Sequence, residues 1–252
     1  REAETRLDHE LTGKRVLVRS TPLGVAALIT PWNFPYAMLT KKIGPAFAMG
    51  CPVVVKPSEE TPLSALAFAQ LCQDAGTPPG FLNVVTGEPQ GIASAFLDST
   101  EVGIISFTGS TATGRKLVES SSRQLPRLAL ELGGHAPFIV LENADVDSAV
   151  AGVMISKFRN GGQTCVSPNR ILVHQSLMPA LVERLGAQMD ALVPGRGLDA
   201  GTTLGPMIND AGIAKVRAHV DDAVHHGARL VKGGEVVSIE GLAARFYAPT
   251  IL

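Results

Sequence analysis

Short β-branched runs, each closed by a turn residue and followed by a helical stretch, recur down the first half of this chain. GVAALITP, CPVVVKP, LNVVTG and VGIISFTG each read as a buried strand. Residues 42–50 read as a short helix. Thr61-Pro62 is a cap-plus-first-turn pair for a helix over 64–75, which Gly76 ends. Residues 91–97 are helical, and the loop GSTATG opens another helix after VGIISFTG. Apolar strands alternating with helices demand a parallel sheet covered on both faces, so the expected fold class is α/β with a doubly wound sheet. RLALELGG and APFIVL are two further apolar runs around a glycine pair. A helix over 145–158 with acidic residues at its start, a strand at RILVHQS and helices over 176–192 and 209–226 make the second half α/β as well. A boundary near Gly133-Gly134 is expected.

Composition narrows the function classes. The 252 residues carry a formal net charge of −1, which offers no electrostatic case for nucleic acid or an acidic membrane surface. No apolar run approaches the roughly 20 residues of a membrane span. Three cysteines, Cys51, Cys72 and Cys165, suit a reducing compartment better than a disulfide scaffold, and a cytoplasmic location is expected. The chain opens without Met in a charged segment and stops at PTIL, which suggests a fragment.

Five stretches carry chemistry. In FTGSTATG, Gly109 and Gly114 bracket small hydroxyl residues at a helix N-terminus, a place that favours phosphate. An unliganded strand–turn–helix connection is the plainer alternative. VVVKPSEETP ends a strand with Lys56 and Glu59, which suit ribose hydroxyls at the carboxyl edge of a parallel sheet, or are ordinary surface charges. PWNFP holds Asn33 between two prolines, as a fixed donor to an oxyanion or as a turn residue bonded to its own backbone. LELGG places Glu131 after an apolar run, a setting that suits a general base near neutral pH, with a surface-facing strand residue as the other reading. FRNGGQTCVSPNR surrounds Cys165 with glycines and small polar residues, which suits an accessible nucleophile, whereas an isolated cysteine is more commonly inert core. Cys51, before a buried strand, and Cys72, on a helix face, read as core.

PWNFP, KPSEETP, FTGST, LELGG and GQTC, in this order, resemble the aldehyde dehydrogenase superfamily over essentially the whole chain. The resemblance implies a Rossmann-like cofactor domain and an α/β catalytic domain, both incomplete. Residues 1–20 would belong to an oligomerisation arm, 21–132 to the cofactor domain and 133–252 to the catalytic domain. Cys165 would attack the aldehyde carbon, Asn33 and the Cys165 N–H would hold the oxygen, and Glu131 would activate the hydrolytic water. Trp32, Lys56, Pro57, Ser58 and Glu59, with Gly109, Ser110, Thr111 and Gly114, would bind the cofactor. No metal is implied. The family's later EExFGP motif is absent.

PWNFPYAMLTKKIGPA, GGHAPFIV and SKFRNGGQTCVSPNR are similar to the succinate-semialdehyde dehydrogenase branch. On that resemblance Arg159 and Lys41 would hold a substrate carboxylate, with Lys41 standing where relatives often carry arginine. Ser167 replaces the second cysteine of the CVC seen in several relatives, so a disulfide with Cys165 is not expected. Glu59 accepts from ribose hydroxyls but repels a 2′-phosphate, which favours NAD over NADP. The expected reaction is NAD-dependent oxidation of succinate semialdehyde, by a protein that forms dimers or tetramers when full length. Other carboxylated aldehydes (glutarate or 2-oxoglutarate semialdehyde) are the first alternative. A cysteine hydrolase is another, but no histidine sits in a motif that would serve it. The last is an inactive fragment without a competent cofactor site.

Overall fold

The computed structural model describes residues 4–7 and 16–252. The chain divides into two compact units, Arg1–Gly133 and Gly134–Leu252. In the first, β1 (Glu4–Leu7) pairs antiparallel with β2 (Val16–Arg19). The arm expected over residues 1–20 therefore lies partly outside the described residues. There follow β3 (Val25–Ile29), α1 (Pro35–Ala48), β4 (Val53–Lys56), α2 (Leu63–Asp74), β5 (Leu82–Val84), α3 (Pro89–Asp98), β6 (Val102–Gly109), α4 (Thr111–Ser120) and β7 (Arg127–Leu132).

β3 to β7 form one parallel sheet in the order β5-β4-β3-β6-β7. Alternation along the strands explains why helices cover both faces. Ala26, Leu28, Val53 and Val55 point to one side and pack with Leu39 and Ile43 of α1 and Ala65 of α2. Ala27, Ile105 and Phe107 point to the other side and pack with Phe96 and Leu97 of α3 and Leu117 of α4. Each fully buried Leu, Ile or Val contributes about 1.5–3 kcal/mol of apolar transfer, which fixes the register because a one-residue slip would exchange the faces.

The helix expected at 42–50 begins instead at Pro35 and ends at Ala48. PWNFP is a turn only as far as Phe34, and its second proline opens the helix, where a fixed φ and a missing N–H cost nothing. Pro45 lies inside α1 without ending it.

The second unit begins with a crossover: β8 (Ala136–Val140), α5 (Val146–Phe158) and β9 (Pro168–Val173), the strands pairing in parallel. The Asp145 side chain accepts from the Ser148 N–H at 2.8 Å and starts α5. α6 (Met178–Asp190) lays Leu181, Leu185 and Met189 against Val150 and Val153 of α5 and Val140 of β8. α7 (Asp210–His225) and a two-stranded antiparallel pair, β10 (Val236–Val237) and β11 (Phe246–Tyr247), complete it. Among the described residues no helix is long and apolar enough to cross a membrane, and no cluster of His, Cys, Asp or Glu could hold a metal.

Candidate functional site

In the first unit the chain leaves β3 toward β4 on one side and returns to β6 on the other. Ligands of open α/β sheets bind outside the carboxyl ends at such a reversal. The segments there are the ones singled out by sequence. Trp32 and Asn33 follow β3 and are half-buried. Lys56 ends β4 with only 5% of its surface exposed, and its Nζ donates to Glu59 Oε2 at 2.7 Å. That hydrogen bond, with the charge behind it, holds the Glu59 carboxyl below the usual range, so it is an ionised acceptor on a largely exposed side chain. Pro57 and Ser58 are buried, and Ser58 Oγ accepts from the Glu60 N–H at 3.3 Å, which bends the turn after the strand.

After β6, Ser110 caps α4 by accepting from the Thr113 N–H at 3.2 Å, while Ser110 and Thr111 are exposed. Gly109 and Gly114 answer to packing: a Cβ on the first would run into the Phe107 ring, and on the second would lie 2.7 Å from Leu132. The carboxyl edge fits a dinucleotide on two counts. A ten-residue helix presents an exposed N-terminal turn to an anion, and an ionised carboxylate braced by a buried lysine offers acceptors to sugar hydroxyls.

A cavity of about 830 Å³ opens on the α1 face of the sheet, lined among others by Lys41, Lys42, Ser106, Arg127 and Glu131. Glu131 is exposed and alternates with Arg127 and Ala129 on this side of β7, where an apolar setting was expected. Lys41 is exposed, whereas Lys42 reaches the sheet and donates from Nζ to Ser106 Oγ at 2.8 Å. Burial first, then the charge of Lys41, push the Lys42 ammonium down to about 8, with Glu131 acting the other way. Sequence reasoning passed over Lys42. The signal was its place three residues after Leu39 and one before Ile43, visible only once the helix is started at Pro35.

The second unit holds Cys165. α5 ends at Phe158, and Arg159–Gly162 forms a tight turn in which Asn160, Gly161 and Gly162 have φ of 53°, 62° and 75°. Three successive left-handed residues reverse the chain, and a side chain at Gly162 would also approach the Lys157 carbonyl at 3.1 Å. The Gln163 N–H then donates to Asn160 O at 3.2 Å, and Thr164 Oγ1 accepts from the Val166 N–H at 3.2 Å. Cys165 is a half-buried free thiol within this loop. Gly134 backs it, since a Cβ there would lie 3.1 Å from the Cys165 carbonyl. Lys157 Nζ donates to Asn169 Oδ1 at 3.0 Å, and Asn169 Nδ2 meets His135 Nδ1 at 3.0 Å, tying the ends of α5, β8 and β9 together behind the loop. Burial lowers the Lys157 ammonium. Arg159 is exposed at the start of the turn.

Residues 2–252 match the aldehyde dehydrogenase family. The chain is 50% identical over 242 residues to the mitochondrial succinate-semialdehyde dehydrogenase of Arabidopsis thaliana, covering 96% of this chain and 45% of that protein. It is 49% identical over 239 residues to a glutarate-semialdehyde dehydrogenase of Pseudomonas putida, covering 95% of this chain and 49% of that one. A third relative, 48% identical over 239 residues (95% of this chain, 49% of the relative), is the NADP(+) succinate-semialdehyde dehydrogenase GabD of Escherichia coli. Such a relative removes any general preference for NAD over NADP on grounds of kinship. Among solved structures, succinate-semialdehyde dehydrogenase from Burkholderia pseudomallei superposes with a TM-score of 0.93 at 48% identity, over 98% of this chain and 51% of that one. The chain spans about half the length of the curated relatives it matches. With motifs, parallel sheet and whole-chain similarity in agreement, the chain belongs to the aldehyde dehydrogenase family.

Proposed function

We propose that this chain carries the reacting residues of an enzyme that oxidises a carboxylated aldehyde, foremost succinate semialdehyde, to the acid. The observation that carries the reading is the half-buried Cys165 thiol, held on a turn of three left-handed residues within a chain of this family. Its Sγ adds to the aldehyde carbon to give a thiohemiacetal, with Asn33 and the Cys165 N–H as donors to the developing oxyanion. A nicotinamide cofactor held at the carboxyl edge of the sheet would supply the hydride acceptor needed to convert this adduct to a thioester. Glu131 takes a proton from the water that hydrolyses the thioester and frees the thiol. Lys56 and Glu59 hold the adenosine ribose, with Trp32, Pro57 and Ser58 beside it. The first turn of α4, with Gly109, Ser110, Thr111 and Gly114, holds the pyrophosphate.

Arg159 and Lys41 are exposed cations suited to a second acid group on the substrate. Relatives are named for succinate and for glutarate semialdehyde, which differ in chain length and share that acid group, and another is named for 3-sulfolactaldehyde. The ionised Glu59 favours NAD. Residues 1–20 would serve oligomerisation, 21–132 the cofactor and 133–252 the thiol chemistry. The free cysteines suit a reducing, cytoplasmic setting and a dimer or tetramer is expected of the whole protein.

The test is NAD(P)H formation with succinate and glutarate semialdehydes, beside a Cys165→Ser control, in this chain and in any longer natural form of it. Cysteine-dependent NAD(P)H production with kcat/KM highest for succinate semialdehyde is expected. Production that persists in Cys165→Ser would overturn the assignment of the nucleophile.

A further inference from the structure

The loop that carries Cys165 is bonded to itself by short-range contacts, and one side chain in it also reaches far along the chain. Gln163 Oε1 accepts from the Ile208 N–H at 3.0 Å, and its Nε2 donates to Pro206 O at 3.4 Å and to Asn160 O at 3.1 Å. The primary amide thus meets the 206–208 segment as a neighbouring peptide would, accepting at one point and donating at another.

That segment is itself anchored. The Met207 N–H donates to Arg245 O at 2.7 Å, and Arg245 Nη1 donates to Ile208 O at 3.4 Å. Arg245 Nε also donates to Asp210 Oδ1 at 2.8 Å, and the Asn209 side chain caps α7 through the Gly212 N–H at 2.9 Å. Gln163 therefore ties the thiol loop to a platform fixed by the start of α7 and the residue before β11. A turn built of Asn160, Gly161 and Gly162 has little side-chain packing of its own, and hinge freedom there would be transmitted directly to a thiol two residues past Gln163.

We propose that Gln163 is a positioning residue for Cys165, holding the thiol loop against Pro206 and Ile208 so that the sulfur keeps one placement. The proposal rests on the reading of Cys165 as the nucleophile, so its test uses a readout that does not need turnover. Iodoacetamide alkylation of Cys165 is followed by peptide mapping in wild type, Gln163→Met and Gln163→Glu, with Cys72 of α2 as the internal reference. Methionine is close in size and removes both the donor and the strong acceptor. Glutamate keeps the acceptor for Ile208 and loses the donor.

Release of the half-buried thiol raises its alkylation rate at least about fivefold in Gln163→Met, which loses all three hydrogen bonds of the amide, one neutral hydrogen bond alone being worth about that factor. Gln163→Glu falls between that value and wild type, and the Cys72 rate stays level in both. Cys165 rates within twofold of wild type in both variants would overturn the proposal. So would Cys72 accelerating in step with Cys165, which would mean general loosening, or equal effects of Met and Glu, which would mean that the hydrogen-bond pattern is irrelevant. Failure of the nucleophile assignment would show separately, as NAD(P)H production that survives Cys165→Ser.

Discussion

Lys42 and Ser106 are joined across the α1–β6 contact by a 2.8 Å hydrogen bond, on the sheet face that also presents Glu131. An ammonium half withdrawn from water, with one like charge beside it at Lys41 and one opposite charge at Glu131, is a titrating group within reach of neutral pH.

The sign of its effect follows from linkage. The folded state holds Lys42 with a pKa of about 8, below the ordinary lysine value of about 10.4. Between those two values the unfolded chain binds the proton and the folded chain does not, so folding gains with rising pH. The burial penalty is full below pH 8 and fades above it. The melting temperature of wild type relative to Lys42→Met therefore rises between pH 7 and pH 9.5. A flat difference across that range would refute the assignment. In ¹³C-methylated protein, Glu131→Gln moves the Lys42 titration lower still, because the carboxylate now raises it.

Glu59 offers a separable test of cofactor choice. Its carboxylate lies 2.7 Å from the buried Lys56 ammonium, so Glu59→Gln keeps an acceptor for Lys56 while removing the charge that opposes a 2′-phosphate. The ratio of NADP to NAD affinity rises about fivefold, equivalent to roughly 1 kcal/mol between two charges near 4 Å in a water-like medium. Trp32 is the only tryptophan and stands at the same sheet edge, so quenching of its fluorescence reports both affinities. An unchanged ratio would remove Glu59 from the ribose site.

How far the sequence reached depended on the range of the forces involved. Val53, Val55, Ile105 and Phe107 announce buried strands because burial on both faces leaves an unbroken apolar run. The Asp145 cap and the alternation of strand with helix are local patterns of the same sort. The start of α1 was missed because a proline can close a turn or open a helix, and packing of Leu39 and Ile43 on the sheet decides between them. Lys42 was lost with it. The motif residues were legible as a set in one order. The bonds of Gln163 to Pro206 and Ile208 were not, since they span more than 40 residues and no local periodicity encodes them.

Gly133 and Gly134 look alike in sequence and differ in space. Among the described residues a Cβ at Gly133 meets nothing within 4 Å, whereas one at Gly134 lies 3.1 Å from the Cys165 carbonyl, a backbone atom that yields only if the loop moves. Gly133→Ala is expected to stay within about 0.5 kcal/mol of wild type. Gly134→Ala costs about 1–3 kcal/mol, the range for overpacking, and alters Cys165 alkylation as well. Denaturant unfolding of both variants checks the pair, and equal effects would contradict the described backing of the loop.

Ser167 is 3% exposed, and its hydroxyl has no hydrogen-bond partner among the described residues, while its own backbone N–H donates to Thr164 O at 3.3 Å. A buried hydroxyl without a partner loses its water without replacement, a penalty of about 1–3 kcal/mol. Alanine at this position keeps the backbone bond, removes the stranded oxygen and leaves a space smaller than a methyl group. Ser167→Ala is therefore expected to stabilise the second unit by about 1 kcal/mol, the hydroxyl's penalty less the contacts it makes with its neighbours. Thermal unfolding with and without the substitution measures this. A destabilisation instead would mean that the Ser167 hydroxyl has a partner in solution, and that the loop around Cys165 draws part of its order from it.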